Sequence, residues 1–228
     1  MIRFFAKAFE IASKLLTAKP KTIMLITSEQ LKTVATSMST ATSIEMAGLF
    51  NDLAVKYGVT SKDVFHEFAA NVLQESLEMQ HKAENMNYKA TTLMKVWPNR
   101  FTTLALANEF AHNPKKLANF VYGGRMGNNQ PADGYNFRGG GYIGLTGREV
   151  YTKYAKYAGY KTVEGCAEDV RNSNRAALDS AYWFFCVLKD LEDEAEKDDF
   201  IGIVKSINGG TIGLKDRIFY YERLKPFM

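Results

Sequence analysis

The sequence predicts a mainly helical body with at most a small β-hairpin, and three observations predict it. Apolar residues recur at spacings of three and four between recognisable caps and stops, as on the buried face of a helix. Alternating strand patterns are weak throughout. Nine of the 17 glycines (Gly123, Gly124, Gly127, Gly134, Gly139, Gly140, Gly141, Gly144 and Gly147) crowd into residues 123–147. That density marks backbone in unusual conformations or backbone closely approached by a ligand, and any hairpin belongs there.

In chain order, Met1–Leu16 reads as an amphipathic helix. Arg3, Lys7, Glu10 and Lys14 line one side, and Ile2, Phe5, Phe9, Ala12 and Leu16 the other, before Lys19-Pro20-Lys21 breaks the pattern. Residues 1–26 thus form a basic extension, and residues 27–228 the main domain. Thr27 with Gln30 three residues later is a capping-box signature ahead of Leu31, Val34 and Met38. A helix over Ile44–Tyr57 stops at Gly58. Ser61 or Asp63 caps the next, over 63–77, which carries Val64, Phe65, Phe68, Ala69, Val72 and Leu73. Residues 76–92 read as a polar loop. Helical patterns return at Thr92–Lys95, Phe101–Ala111 and Lys115–Tyr122, and after the glycines at Arg148–Tyr157, Arg175–Leu188, Phe200–Ile207 and Leu214–Leu224. The acidic run Lys189–Asp199 reads as a solvated helix end or loop.

The chain has 228 residues and a formal net charge of +4. That charge sits in residues 1–26, where Arg3, Lys7, Lys14, Lys19 and Lys21 oppose Glu10; the remainder is neutral. A neutral body lacks the broad basic footprint that displaces counterions from a phosphate backbone, so no nucleic-acid partner is expected. No run approaches the roughly 20 apolar residues of a spanning helix. Charges within the first apolar stretch argue against a secretory signal. An amphipathic basic extension can dock on its own domain, or can lie on an anionic membrane.

Several kinds of chemistry are excluded by pattern. His66, His81 and His112 lack metal-ligand spacing and read as surface or capping residues, so no metal is expected. Cys166 and Cys186 have no adjacent base and read as small buried apolar groups, reduced and unpaired. There is no phosphate-binding Gly-Lys-Ser/Thr and no Gly-x-Ser-x-Gly elbow. Carboxylates remain. Glu75 ends a helix beside Val72, Leu73 and Leu77, a setting that suits a general acid; Glu84, nine residues on in the polar loop, suits a general base. An inverting glycosidase needs such a pair about 6.5–9.5 Å apart. Spacing by itself does not single the two out, since Glu67 and Glu78 lie nearby.

Six blocks occur in a telling order. They are Gln74-Glu75-Ser76, Glu84-Asn85-Met86-Asn87-Tyr88, Trp97-Pro98-Asn99-Arg100-Phe101, Tyr122-Gly123-Gly124-Arg125-Met126-Gly127-Asn128, Phe137 to Arg148, and Ile207-Asn208-Gly209-Gly210. Together they resemble glycoside hydrolase family 19, in its phage-endolysin and bacterial lysozyme-like branch, across residues 27–228. The resemblance implies a two-lobed, lysozyme-like helical fold with a saccharide cleft, hydrolysis with inversion, and no cofactor. It implies Glu75 as general acid, Glu84 as general base, and Thr146 as the hydroxyl that holds the attacking water. It places Asn208 in the cleft and matches Arg217 to a later family arginine. Tyr88, Tyr122, Tyr142 and Arg125 are sensible sugar-facing groups, or core and rim. Thr146 has the competing reading of a helix cap, and Asn208-Gly209 that of a turn.

The chain also departs from the family. Gln74 stands where His is usual. Arg-Gly-Arg-Gly is reduced to Arg138-Gly139-Gly140-Gly141, Gly144 replaces a Gln, and Val150 an Asn. Losing the Gln and the Asn removes two hydrogen-bond partners, each worth about 1 kcal/mol net. The expectation is a monomeric peptidoglycan hydrolase acting on glycan strands, with residues 1–26 docking on the domain or on another chain, or else engaging anionic membrane. It would wait in the host cytoplasm and reach the wall after the membrane is opened. A chitinase is the alternative enzyme, and a non-catalytic wall-binding virion protein the alternative of another class.

Overall fold

The computed structural model describes residues 23–227; the expected Met1–Leu16 helix lies outside the described residues. In chain order the α-helices are α1 (Ser28–Val34), α2 (Thr40–Tyr57), α3 (Lys62–Glu75), α4 (Ala90–Val96), α5 (Leu104–Asn108), α6 (Pro114–Tyr122) and α7 (Asp133–Asn136). They continue as α8 (Arg148–Ala158), α9 (Val163–Asn172), α10 (Asn174–Tyr182), α11 (Glu192–Glu196), α12 (Phe200–Asn208) and α13 (Leu214–Leu224). Among the described residues the only β-pairing is two isolated antiparallel bridges, Ala83 with Gly140 and Gly140 with Leu145. The protein is mainly helical, and it has the all-α character of a lysozyme-like fold.

Local chemistry sets the boundaries. Thr27 and Gln30 close the capping box of α1 in both directions. Ser39 caps α2, which starts at Thr40, four residues before the expected Ile44, and Gly58 ends it in the left-handed region at φ 75°. Ser61 caps α3 by accepting from the Val64 N–H. The helix expected over Phe101–Ala111 is shorter because Thr103 caps it late, at Leu104. The expected helix Arg175–Leu188 is α10 followed by a π-helical turn over Trp183–Leu188, which buries Trp183, Phe185, Cys186 and Val187. The sequence reading missed α7 and α9, and it took the acidic run that contains α11 for a helix end or loop.

The helices fall into two compact units. The first comprises residues 23–82, 141–143 and 173–227 among those described. Its centre is α3, in which every residue from Val64 to Leu73 is buried. Its Phe65 and Phe68 meet Phe50 edge-to-face, Phe68 meets Phe185 in the same way, and Phe68 lies tilted against Tyr182 with centroids 4.1 Å apart. Enclosure on all sides corrects one expectation: His66 is not a surface or capping residue but is fully buried. Burial pulls its imidazole down to about 4, so the ring is neutral at pH 7. His81 and His112 are exposed as expected. Leu25 and Ile26, at the end of the basic extension, are also buried, and their N–H groups donate to Asn51 Oδ1.

The second unit comprises residues 83–140 and 144–172. Its core gathers Met86, Leu93, Phe101, Phe110, Leu117 and Val121. Gly134 lets α7 lie directly on α6: a methyl there would meet the Ala118 carbonyl at 2.4 Å. Arg148 grips Asp133 with two hydrogen bonds of 2.9 and 2.7 Å, which ties α8 to α7. No side chain of its own sequence caps α8. Instead buried Asn128 accepts from the Arg148 N–H at 2.8 Å and donates to the Tyr122 carbonyl. Among the described residues no helix is long and apolar enough to cross a membrane.

Glu67 on α3 is fully buried. Burial first, then the charge of Asp198 with smaller contributions from Asp199 and Asp63, pushes its carboxyl up to about 8. A carboxyl raised in the fold binds a proton that the unfolded chain has already released, so stability falls as pH rises from about 4.5 to about 8. Glu67→Gln, which mimics the protonated form, is expected to raise the melting temperature at pH 8 and to leave it nearly unchanged at pH 4.5. Thermal denaturation at the two pH values checks this.

Candidate active site

Glu75 is the last residue of α3, and its side chain keeps 28% exposure. The sequence placed it against an apolar face; the structure gives it a guanidinium. Arg217, on α13, ion-pairs with the Glu75 carboxylate through Nη2 and donates through Nη1 to Asn71 Oδ1 at 2.5 Å. Asn71 sits one turn before Glu75 on the same helix face and donates back to the Glu67 carbonyl at 2.8 Å. Arg217 is therefore not a cleft group. Its side chain is only 1% exposed, so it has no surface to offer a sugar, and it acts by holding Glu75.

The chain leaves α3 through three consecutive left-handed residues, Leu77, Glu78 and Met79, at φ 48°, 56° and 65°. Such a run is costly for residues with side chains. It is pinned by Glu78, whose Oε2 accepts from Ser37 N–H at 2.7 Å and from Ser37 O–H at 2.5 Å, and whose Oε1 accepts from Tyr220 at 3.1 Å. Nothing in the sequence marked this glutamate apart from its neighbours.

Glu84 was expected on a free polar loop, but it is fastened. Its N–H donates to the Gly139 carbonyl at 2.9 Å, and its Oε2 accepts from the Gly139 N–H at 3.1 Å. Oε1 accepts from the Tyr122 hydroxyl at 2.7 Å. Burial, and then the Glu84 charge, push the Tyr122 phenol far above its ordinary value, so it keeps its proton and remains a donor. Tyr88, half-buried and edge-on to Trp97 at 5.5 Å, is raised by the same two causes. Thr146 belongs to the same cluster: a methyl built on Gly139 would lie 3.2 Å from Glu84 Oε2 and 3.6 Å from Thr146 Oγ1. The Thr146 hydroxyl donates to the Gly144 carbonyl at 3.0 Å and does not cap α8. Its oxygen lone pairs are left to accept a hydrogen bond from water.

The remaining expected residues divide. Arg125 is exposed. Tyr142 is 1% exposed, in the first unit, with its hydroxyl donating to Asn174 Oδ1 at 2.8 Å; a ring so covered cannot stack on a sugar, which corrects the sequence reading. Asn208 is exposed at the end of α12, where its Nδ2 donates to the Ile212 carbonyl at 2.9 Å and closes the turn after Gly209. Among the described residues no group of three His, Cys, Asp or Glu side chains could hold a metal ion.

Each glutamate is thus anchored within its own unit, Glu75 on a guanidinium and Glu84 on a tyrosine hydroxyl and a backbone amide beside the Thr146 hydroxyl. The chain is similar to a curated Haemophilus influenzae protein named as a glycosyl hydrolase family 19 domain-containing protein, at 28% identity over 171 residues that cover 74% of this chain and 82% of that one. No protein-family model matches the chain. The resemblance to glycoside hydrolase family 19 thus extends over most of the sequence, and it supports a glycoside hydrolase.

Tyr122→Phe removes one of the two donors on the Glu84 carboxylate and leaves the ring in place. It is expected to lower kcat on a glycan substrate about tenfold, with KM little changed, because a displaced carboxylate acts on the rate more than on binding. Steady-state release of reducing ends, with the melting temperature as a control, measures it.

Proposed function

We propose that the protein is a peptidoglycan hydrolase of the endolysin type, cleaving β-1,4 bonds of the wall glycan with inversion. In this reading the Glu75 carboxyl gives its proton to the glycosidic oxygen. Glu84 takes a proton from a water that Thr146 helps to hold, and that water attacks the anomeric carbon from the opposite face. The observation that carries the reading is the Glu84 carboxylate, fixed at both oxygens by Tyr122 and the Gly139 N–H beside the Thr146 hydroxyl. A carboxylate so anchored is oriented before substrate arrives, which is what a general base requires. The ion pair to Arg217 fixes Glu75 in the same manner.

The enzyme would wait in the host cytoplasm and meet its substrate once another protein opens the membrane. Residues 1–26, which hold all of the net positive charge, favour contact with anionic lipid at that stage.

The test is side-by-side digestion of purified peptidoglycan and chitin, with mass spectrometry of the new reducing ends and NMR of their anomeric configuration. Release of inverted fragments from peptidoglycan is expected, with a loss of 10²–10⁴-fold, on the order usual for general acid–base catalysis, in Glu75→Gln and in Glu84→Gln. Preferential digestion of chitin would make the protein a chitinase. Wall binding without soluble fragments would make it a non-catalytic wall-binding protein.

A further inference from the structure

Gly140 stands where the family resemblance leads one to expect a second arginine, and the structure shows what fills that place. A methyl group built on Gly140 would lie 2.3 Å from the Tyr151 hydroxyl and 2.8 Å from Cγ of Arg171. Arg171 comes from the other end of this unit's sequence, on α9, a helix the periodicity did not reveal. Its stem packs against the Gly140 α-carbon, and its Nη1 donates to the Asn136 carbonyl at 2.7 Å. Tyr151 donates to the Arg138 carbonyl at 3.4 Å. Arg138 donates to the Tyr135 carbonyl at 2.8 Å and lies over the Tyr135 ring at 4.1 Å. Residues 138–140 are therefore backed by Tyr151 and Arg171, and the same three residues hold Glu84 through both backbone groups of Gly139.

We infer that Arg171 takes the place of the arginine missing at position 140, acting as a positioning residue that props the 138–140 strip and so sets the Glu84 carboxylate. An arginine at 140 and an arginine at 171 compete for the same space, so the glycine at 140 is the condition for Arg171 to enter. The two guanidiniums feel each other: after burial, the charge of Arg171 pulls Arg138 below its ordinary value, while Glu84 pulls it back up. The inference rests on the assignment of Glu84 as general base.

Arg171→Met keeps the stem that packs on Gly140 and removes the guanidinium. With peptidoglycan as substrate, kcat is expected to fall about tenfold, in line with the cost of a slightly displaced catalytic group, while KM stays within about twofold. Arg171→Lys, which keeps a donor and a charge, is expected to recover part of the lost rate; should the Met variant fail to fold, the Lys variant against wild type carries the comparison. A kcat within twofold of wild type in a folded Arg171→Met, or a loss that merely follows the fraction unfolded in a melting curve, overturns the inference. The same assay includes Glu84→Gln. An active wild type silenced by Glu84→Gln but indifferent to Arg171 sinks this inference alone, whereas a wild type that releases no reducing ends sinks the assignment beneath it as well.

Discussion

The first unit depends on the burial of a helix that is not apolar. α3 is covered from Val64 to Leu73, yet it carries His66, Glu67 and Asn71 in that stretch and Glu75 at its end. Burying a charged or polar group is costly unless a partner is supplied. α13, packed along α3, supplies it through Arg217, a guanidinium that would itself be intolerable there without Asn71 and Glu75. The pair is mutually required: removing one member of a buried ion pair typically costs about 3–5 kcal/mol, because the other charge is left behind. The solution for His66 and Glu67 is different. Each sheds its charge, the imidazole by losing a proton and the carboxyl by keeping one. Helix α3 thus ends at Glu75, the one acidic side chain of its last turn, held by the Arg217 guanidinium.

The second unit solves the complementary problem by other means. Glu84 is held by backbone and by a phenol, with no cation bonded to it. Such an anchor fixes both carboxylate oxygens in place. It also makes the position of Glu84 depend on the path of 138–140, hence on Tyr151, Arg171 and Asn136 behind that strip. The two glutamates are therefore supported by different physics: a charge-assisted clamp between two helices for Glu75, and a backbone lattice with a tyrosine hydroxyl for Glu84.

What the sequence made legible follows from how local each signal is. The capping box of α1, the Gly58 stop of α2, the Ser61 cap of α3 and the full extent of α13 are decided within a few residues, and all were readable. α9 was not, because its apolar face is only Cys166, Ala167 and Val170, too sparse to register as a period. Burial of Tyr142 and Arg217 was also hidden: both side chains are amphipathic, and their covering comes from residues distant in sequence, Met46 and Asn174 for one, Asn71 and Glu75 for the other. Tyr122 was picked out as an aromatic that a sugar could use. Its hydroxyl has a partner 38 residues away, which no local pattern encodes.

The glycine-rich stretch shows why a departure from a family pattern has to be read at its own position. Gly144 lies in the left-handed region at φ 72° with open space around it, so a glutamine there would strain the backbone but collide with nothing. Gly140 is the reverse: its side is walled by Tyr151 and Arg171, and any side chain collides. At 144 the turn takes a left-handed residue, and no side chain stands there to hydrogen-bond. At 140 the backbone conformation does not require glycine; a neighbour does. One substitution thus alters what surrounds the Thr146 hydroxyl, whose only bond runs to the Gly144 carbonyl. At the other, the strip that bonds Glu84 is backed by Arg171 from α9.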